Sequence, residues 1–134
     1  GASALVLISG DRALDLGITT EARIISFADH AREPEDFAVA PTGAVRRALK
    51  MAGMSSVDFH ELHEAFAAVA LANMELLRLD HSRINLHGGA VSLGHPLGAS
   101  GARIVGSLIN VLRQYDAETG CASIANCGGG ASAL

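Results

Sequence analysis

Short apolar runs suited to buried strands alternate along this chain with longer stretches whose apolar residues recur at helical spacing, and this alternation constrains the fold most. Residues 2–8 read as a buried strand, and residues 11–16 as a short helix stopped by Gly17. Ile24, Ile25 and Phe27 suit a second strand over residues 22–28, with a polar loop over 30–36. Pro41 opens an amphipathic helix whose apolar positions Ala44, Val45, Ala48, Leu49 and Met51 lead to a stop at Gly53. Residues 57–62 predict a short strand, and from about His63 the spacing of Phe66, Val69, Ala70, Met74 and Leu77 predicts a helix. A polar turn at 80–83, a strand at 84–86 and a Gly-rich loop at 88–101 follow, and Ser100 opens a helix carrying Ile104, Val105, Leu108, Ile109, Val111 and Leu112. A strand at 122–125, three glycines and a restarted strand complete the pattern. Strands alternating with helices predict an α/β layered fold with helices on both faces of the sheet.

The 134 residues suffice for one packed domain, with 49% hydrophobic and 18% charged residues. Fifteen glycines, no Trp and one Tyr require a core of aliphatic side chains packed around small residues. A net charge of -4 supplies no electrostatic footprint for a nucleic-acid partner. A phosphate-bearing coenzyme needs only a local positive patch or helix ends. No apolar run reaches the roughly 18 residues of a membrane span. Both ends carry strand-like runs, so a segment of a larger protein is expected. Cys121 and Cys127 do not make a disulfide framework; each reads as a small buried hydrophobe in a reducing compartment.

Three constellations could carry chemistry. His63-Glu64-Ala65-Phe66-Ala67 stands where a short strand gives way to a helix, whose N-terminal N–H groups attract negative charge. A histidine beside a helix cap is the plain alternative. In Gly88-Gly89-Ala90-Val91-Ser92-Leu93-Gly94-His95-Pro96-Leu97-Gly98-Ala99-Ser100-Gly101, Pro96 disfavours helical backbone at His95 and Gly94 permits an unusual approach. Imidazole exchanges protons near neutral pH, so His95 is a candidate acid/base, with a turn or core histidine as the alternative. In Asn126-Cys127-Gly128-Gly129-Gly130 the glycines leave backbone N–H groups uncovered toward an oxyanion, beside a thiol able to act as nucleophile or acid/base. A tight turn between strands explains the same residues. His60, His63, His87 and His95 could instead share a metal in a hydrolase, although their spacing matches no zinc motif.

Taken together, the three segments resemble the thiolases. That family carries N-E-A-F-A or H-E-A-F-A, then G-G-A-x-x-x-G-H-P-x-G-x-S-G-A-R, then C-x-G-G-G, seen here at residues 63–67, at 88–103 and around Cys127. The run from Asn85 to Pro96 and the closing Gly-Gly-Gly-Ala-Ser-Ala look most like acetoacetyl-CoA thiolases. The resemblance implies one βαβαβαββ half of a two-half fold, truncated at both ends. Residues 1–21 would be the last strand and helix of the N-terminal half, and 22–134 the C-terminal domain with an incomplete final strand. It implies reversible acetyl transfer between CoA and acyl-CoA through a cysteine acyl-enzyme, with the CoA thioester as substrate and no separate cofactor. By the same resemblance His95 activates the nucleophile and donates to an oxyanion. Cys127 would shuttle a proton, His63 would replace the usual Asn that holds a water, and Phe66, Gly128 and Gly129 would line the substrate site. The implied partners are the N-terminal thiolase half and further copies in a homodimer or homotetramer, in cytoplasm or mitochondrion, with no nucleic acid and no membrane.

Two departures from the family pattern stand out. The nucleophilic cysteine belongs to the half this chain does not contain, so the chain alone is expected to be inactive. Gap-free anchoring of the end places Ala125 where the second catalytic cysteine belongs and Cys127 where glycine is usual. On a strand, a shift of two residues keeps the face but moves the sulfur by about 6.5 Å. A thiolase-like protein that binds CoA thioesters without turnover is therefore the second reading.

Overall fold

The computed structural model describes residues 1–134 as nine regular elements around one four-stranded sheet. They are α1 (Gly10–Asp15), β1 (Ala28–Ala31), α2 (Ala40–Ala52), β2 (Phe59–Leu62), α3 (Ala67–Leu77), α4 (Ala90–Leu93), α5 (Leu97–Gln114), β3 (Gly120–Ala125) and β4 (Gly130–Ala133). Two 3₁₀ turns, Pro34–Val39 and His81–Arg83, join them. The sheet order is β1-β4-β3-β2, with β2 and β3 parallel and the β3–β4 and β4–β1 pairs antiparallel. Ile84 adds a single parallel bridge to His60 at the outer edge of β2. The order from β1 is therefore βαβαβαββ, as expected, with the third strand reduced to that bridge.

Alternation along β3 fixes the layers. Cys121 joins Ala131 and Ala133 in packing against Ala44, Val45 and Ala48 of α2. Its neighbour Ala122 points the other way and packs with Ile104 and Leu108 of α5. Helices thus cover both faces, and the small strand side chains let them come close. On the α2 side, Leu62, Val69, Ala70 and Ile84 make a second cluster that seats α3. Asn73 joins the two helices on that side: it accepts from Thr42 Oγ1 at 2.7 Å and donates to the Ala38 and Val69 carbonyls, both at 2.7 Å.

Several elements follow from local chemistry. Pro41 stands in the first turn of α2, and Gly53, left-handed at φ 70°, closes the helix through the Leu49 and Lys50 carbonyls. Other expectations are corrected. Residues 2–8 form no strand, because no strand of the sheet pairs with them; Val6 and Leu7 stay 94% and 77% exposed. The strand expected over 22–28 begins only at Ala28 and takes in His30 and Ala31, which read as loop. The helix expected from His63 starts at Ala67, because Phe66 is extended at φ -145°, ψ 155°. The strand at 84–86 stops at its first residue, since Asn85 turns left-handed at φ 49°. The 88–101 loop contains α4, and α5 opens at Leu97 after Pro96, three residues before Ser100.

Candidate active site

The carboxyl ends of the parallel strands β2 and β3 lie side by side, the edge at which open α/β sheets bind ligands. His63 extends β2 by one residue, donating its N–H to the Ser123 carbonyl at 2.9 Å. It lies on the same side of the strand as Glu61, beneath α5. The residue is 1% exposed, and neither ring nitrogen has a hydrogen-bond partner. Burial pushes its pKa down to about 4, and the nearby His95 and Arg103 push the same way, so the ring is neutral at physiological pH.

His95 reaches that ring from the loop before α5. Gly94 holds φ 92° and ψ 168°, a conformation confined in practice to glycine, and Pro96 then caps the helix. The two imidazole centres stand 4.1 Å apart with planes inclined at 55°. Nδ1 of His95 lies 2.7 Å from Ser100 Oγ, which itself donates to the Pro96 carbonyl at 3.3 Å. A residue buried in the first turn of α5 thus holds the ring through Nδ1 and leaves Nε2 as the ring nitrogen without a protein partner.

Glu64 ties the two histidine segments together. One carboxylate oxygen accepts from Asn85 Nδ2 at 2.9 Å, and the other from the Val91 N–H at 3.0 Å, in the first turn of α4. Asn85 also exchanges bonds of 2.8 and 2.9 Å with the Leu62 backbone, so its side chain continues the pairing along β2 that its left-handed backbone ended.

Cys127 lies in the turn between β3 and β4. Ala125 pairs with Ala131, the Asn126 N–H donates to the Gly130 carbonyl at 2.8 Å, and residues 127–129 form a three-residue hairpin loop. Gly129 takes φ 86°, and a Cβ there would strike the Arg32 carbonyl. The turn explains why the strand-shift argument for the sulfur does not apply: β3 has ended before Cys127. Asn126 Oδ1 accepts from Gly128 N at 2.9 Å and Gly130 N at 3.1 Å, so those two N–H groups are engaged. Those of Cys127 and Gly129 have no protein partner. Cys127 is exposed and makes no hydrogen bond to either imidazole, whereas Cys121 is buried, its thiol pushed up to about 12 by desolvation.

Phe66 stands 65% exposed at the start of α3, edge-on to Phe37 with ring centres 6.3 Å apart. His60, His63, His87 and His95 do not converge on a metal site. His60 points to the opposite side of β2 from His63, His87 bonds Gln114 Oε1 at 2.8 Å, and no three His, Cys, Asp or Glu side chains gather around one point. Periodicity gave no hint of Glu61, Glu64, Asn85, Ser100 or Arg103 as site components. Strand parity offered one signal: in Phe59-His60-Glu61-Leu62-His63, Glu61 must share His63's side of β2.

Comparison with known proteins agrees with this fold. Residues 18–134 match the family model for the thiolase C-terminal domain. The whole chain aligns at 57% identity with acetyl-CoA acetyltransferase 1 of Arabidopsis thaliana, spanning 33% of that protein. The crystal structure of the Acat5 thiolase of Ascaris suum in complex with coenzyme A superposes with a TM-score of 0.88 at 45% identity, covering 93% of this chain and 33% of that one. The Bacillus anthracis acetyl-CoA acetyltransferase gives a TM-score of 0.92 at 37% identity, over 95% and 33% of the respective chains. The chain spans about a third of the length of these relatives.

Proposed function

This chain belongs to the thiolase family through its C-terminal domain, and from that premise we propose that it is part of an enzyme moving an acetyl group reversibly between CoA and an acyl-CoA. Residues 22–134 would form the C-terminal domain and residues 1–21 the end of the N-terminal half, the rest of which supplies the nucleophilic cysteine. The observation that carries the reading is the His63–His95 pair, two imidazoles 4.1 Å apart on the loops at the carboxyl end of β2 and the start of α5. His95 Nε2 takes the proton of that cysteine, which leaves a thiolate to attack the thioester carbon; free thiols, with a pKa of about 8.5, need such a base at neutral pH. The acyl oxygen gathers negative charge as the thiolate adds and gives it up as CoA leaves, and each fixed donor there is worth about 2.7–4 kcal/mol. His63, neutral and with both nitrogens unpaired, and the free N–H groups of Cys127 and Gly129 are the donors available. Phe66 offers an apolar wall for the acyl chain, with Gly128 and Gly129 in the turn. Cys127 carries the proton between the acetyl carbon and CoA sulfur. Further copies, in a homodimer or homotetramer, complete the assembly, and the 134 residues alone have no turnover.

A second reading keeps the fold and drops the reaction. Cys127 lies in a hairpin turn and Ala125 occupies the strand end, so the chain could bind a CoA thioester without an acid/base thiol. Acetoacetyl-CoA cleavage by the full-length protein and its Cys127→Ser variant separates the two. The acyl-transfer reading expects turnover in the wild type and a loss of about 10²–10⁴-fold in the variant, the size of an acid/base contribution. CoA binding with no cleavage by the wild type supports the second reading. Cleavage unchanged by the substitution removes Cys127 from the mechanism.

A further inference from the structure

On the α5 side of β2, three side chains form a row: Phe59, Glu61 and, one residue past the strand, His63. α5 answers each of them. Phe59 packs against the Ile104–Leu108 cluster, Arg103 Nη1 stands 3.4 Å from Glu61 Oε2, and His95, held at 2.7 Å by Ser100, faces His63 at 4.1 Å. We propose that the Glu61–Arg103 pair is a positioning device that keeps α5 in register on β2 and so sets the separation and tilt of His63 and His95.

The dimensions fit such a role. Glu61 and His63 are two residues apart on extended backbone, about 6.6 Å. Arg103 follows Ser100 by three residues of helix, about 4.5 Å, and His95 reaches further along the same direction from before the helix start. The ionic contact and the imidazole contact are therefore consecutive rungs between one strand and one helix. Apolar packing at Phe59 is non-directional and tolerates sliding, whereas a carboxylate meeting a guanidinium does not.

Stability is a poor explanation for this pair. The Glu61 side chain is 1% exposed and that of Arg103 21%. Glu61 Oε1 and Arg103 Nη2 are both buried without a partner, so the pair is incompletely satisfied. A buried ion pair of that kind is commonly matched or bettered by apolar residues of similar volume, and specifying a register is its best-attested use. Sliding α5 by a single residue would move His95 by about 1.5 Å. Misplacement of a reacting group by about 1 Å can cost 10²-fold in rate.

The test uses full-length protein with Arg103→Met, Arg103→Lys and Glu61→Gln, assayed above about pH 8, where Glu61, pushed up to about 7 by burial, is ionised. Its kinetic arm rests on the acyl-transfer reading, and its geometric arm does not. We expect Arg103→Met and Glu61→Gln to lower kcat by about 10–100-fold with little change in KM, the signature of lost alignment and not of lost substrate binding. Arg103→Lys, which keeps the charge, should recover most of the rate, and Glu61→Gln/Arg103→Met should be no worse than the poorer single variant. Crystal structures should show the His63–His95 separation widened in Arg103→Met and restored in Arg103→Lys. Wild-type kcat in Arg103→Met, or a lowered kcat with the imidazole separation unchanged, overturns the proposal. Should Glu61→Gln fail to fold, the Arg103 pair still decides it. Should the wild type show no acyl transfer, the acyl-transfer reading fails, and the imidazole separation alone decides the positioning role.

Discussion

At the scale of single residues, environment separates groups that the sequence presents as alike. Cys121 and Cys127 are both free thiols six positions apart, yet one is sealed between α2 and the sheet and the other stands open in a turn. An alkylating reagent should therefore add once to the folded chain, on the peptide containing Cys127, and a second time only after denaturation. Two additions under native conditions would contradict the burial of Cys121. The histidines divide in the same way. His95 is legible as a candidate because Pro96 restricts its backbone and Gly94 permits a conformation that other residues avoid. His63 was legible only as part of a motif, since its burial and unpaired nitrogens depend on α5 closing over it. Glu61 and Arg103 were hidden for a related reason: they lie 42 positions apart, and nothing in either local pattern announces a charge buried beneath a helix.

At the scale of elements, the helices are more legible in the sequence than the strands. α2 carries its own start and stop in Pro41 and Gly53, so its limits were written locally. A strand exists only where another pairs with it, and the apolar run at 2–8 has no partner in the sheet. The β3–β4 hairpin depends on one glycine in a similar local way. Gly129 is left-handed at φ 86°, and the Arg32 carbonyl occupies the place a Cβ would need. Gly129→Ala should destabilise the fold by about 1–3 kcal/mol through backbone strain, with more from the clash. It should also disorder the turn that carries Cys127. A denaturant midpoint equal to wild type would show that the turn relaxes without cost.

At the scale of the whole molecule, buried titratable groups set how stability varies with pH. His60 and His63 are each pushed down to about 4 by desolvation from an ordinary value of 6.5. The unfolded chain binds more protons at these sites between those values, so their contribution is present above pH 6.5 and lost as pH falls toward 4. Glu61 acts oppositely: burial pushes it up to about 7 from 4.5, so its contribution is complete below pH 4.5 and lost as pH rises through 7. Between 4.5 and 6.5 two histidines oppose one carboxylate, leaving a net loss on acidification on the order of 1.4 kcal/mol per pH unit. Thermal unfolding should give a Tm highest near pH 6.5, and His60→Gln should flatten the acid limb. An unchanged acid limb in that variant would show that His60 is not held neutral.

A pair of imidazoles placed by a strand end and a helix start is the site we propose for proton transfer to and from a thiol. Acetoacetyl-CoA thiolysis by the full-length protein, compared with its His95→Asn variant, tests that claim most directly. The account predicts a kcat lowered by about 10²–10⁴-fold with the fold intact. A folded His95→Asn protein cleaving acetoacetyl-CoA at the wild-type rate would contradict it.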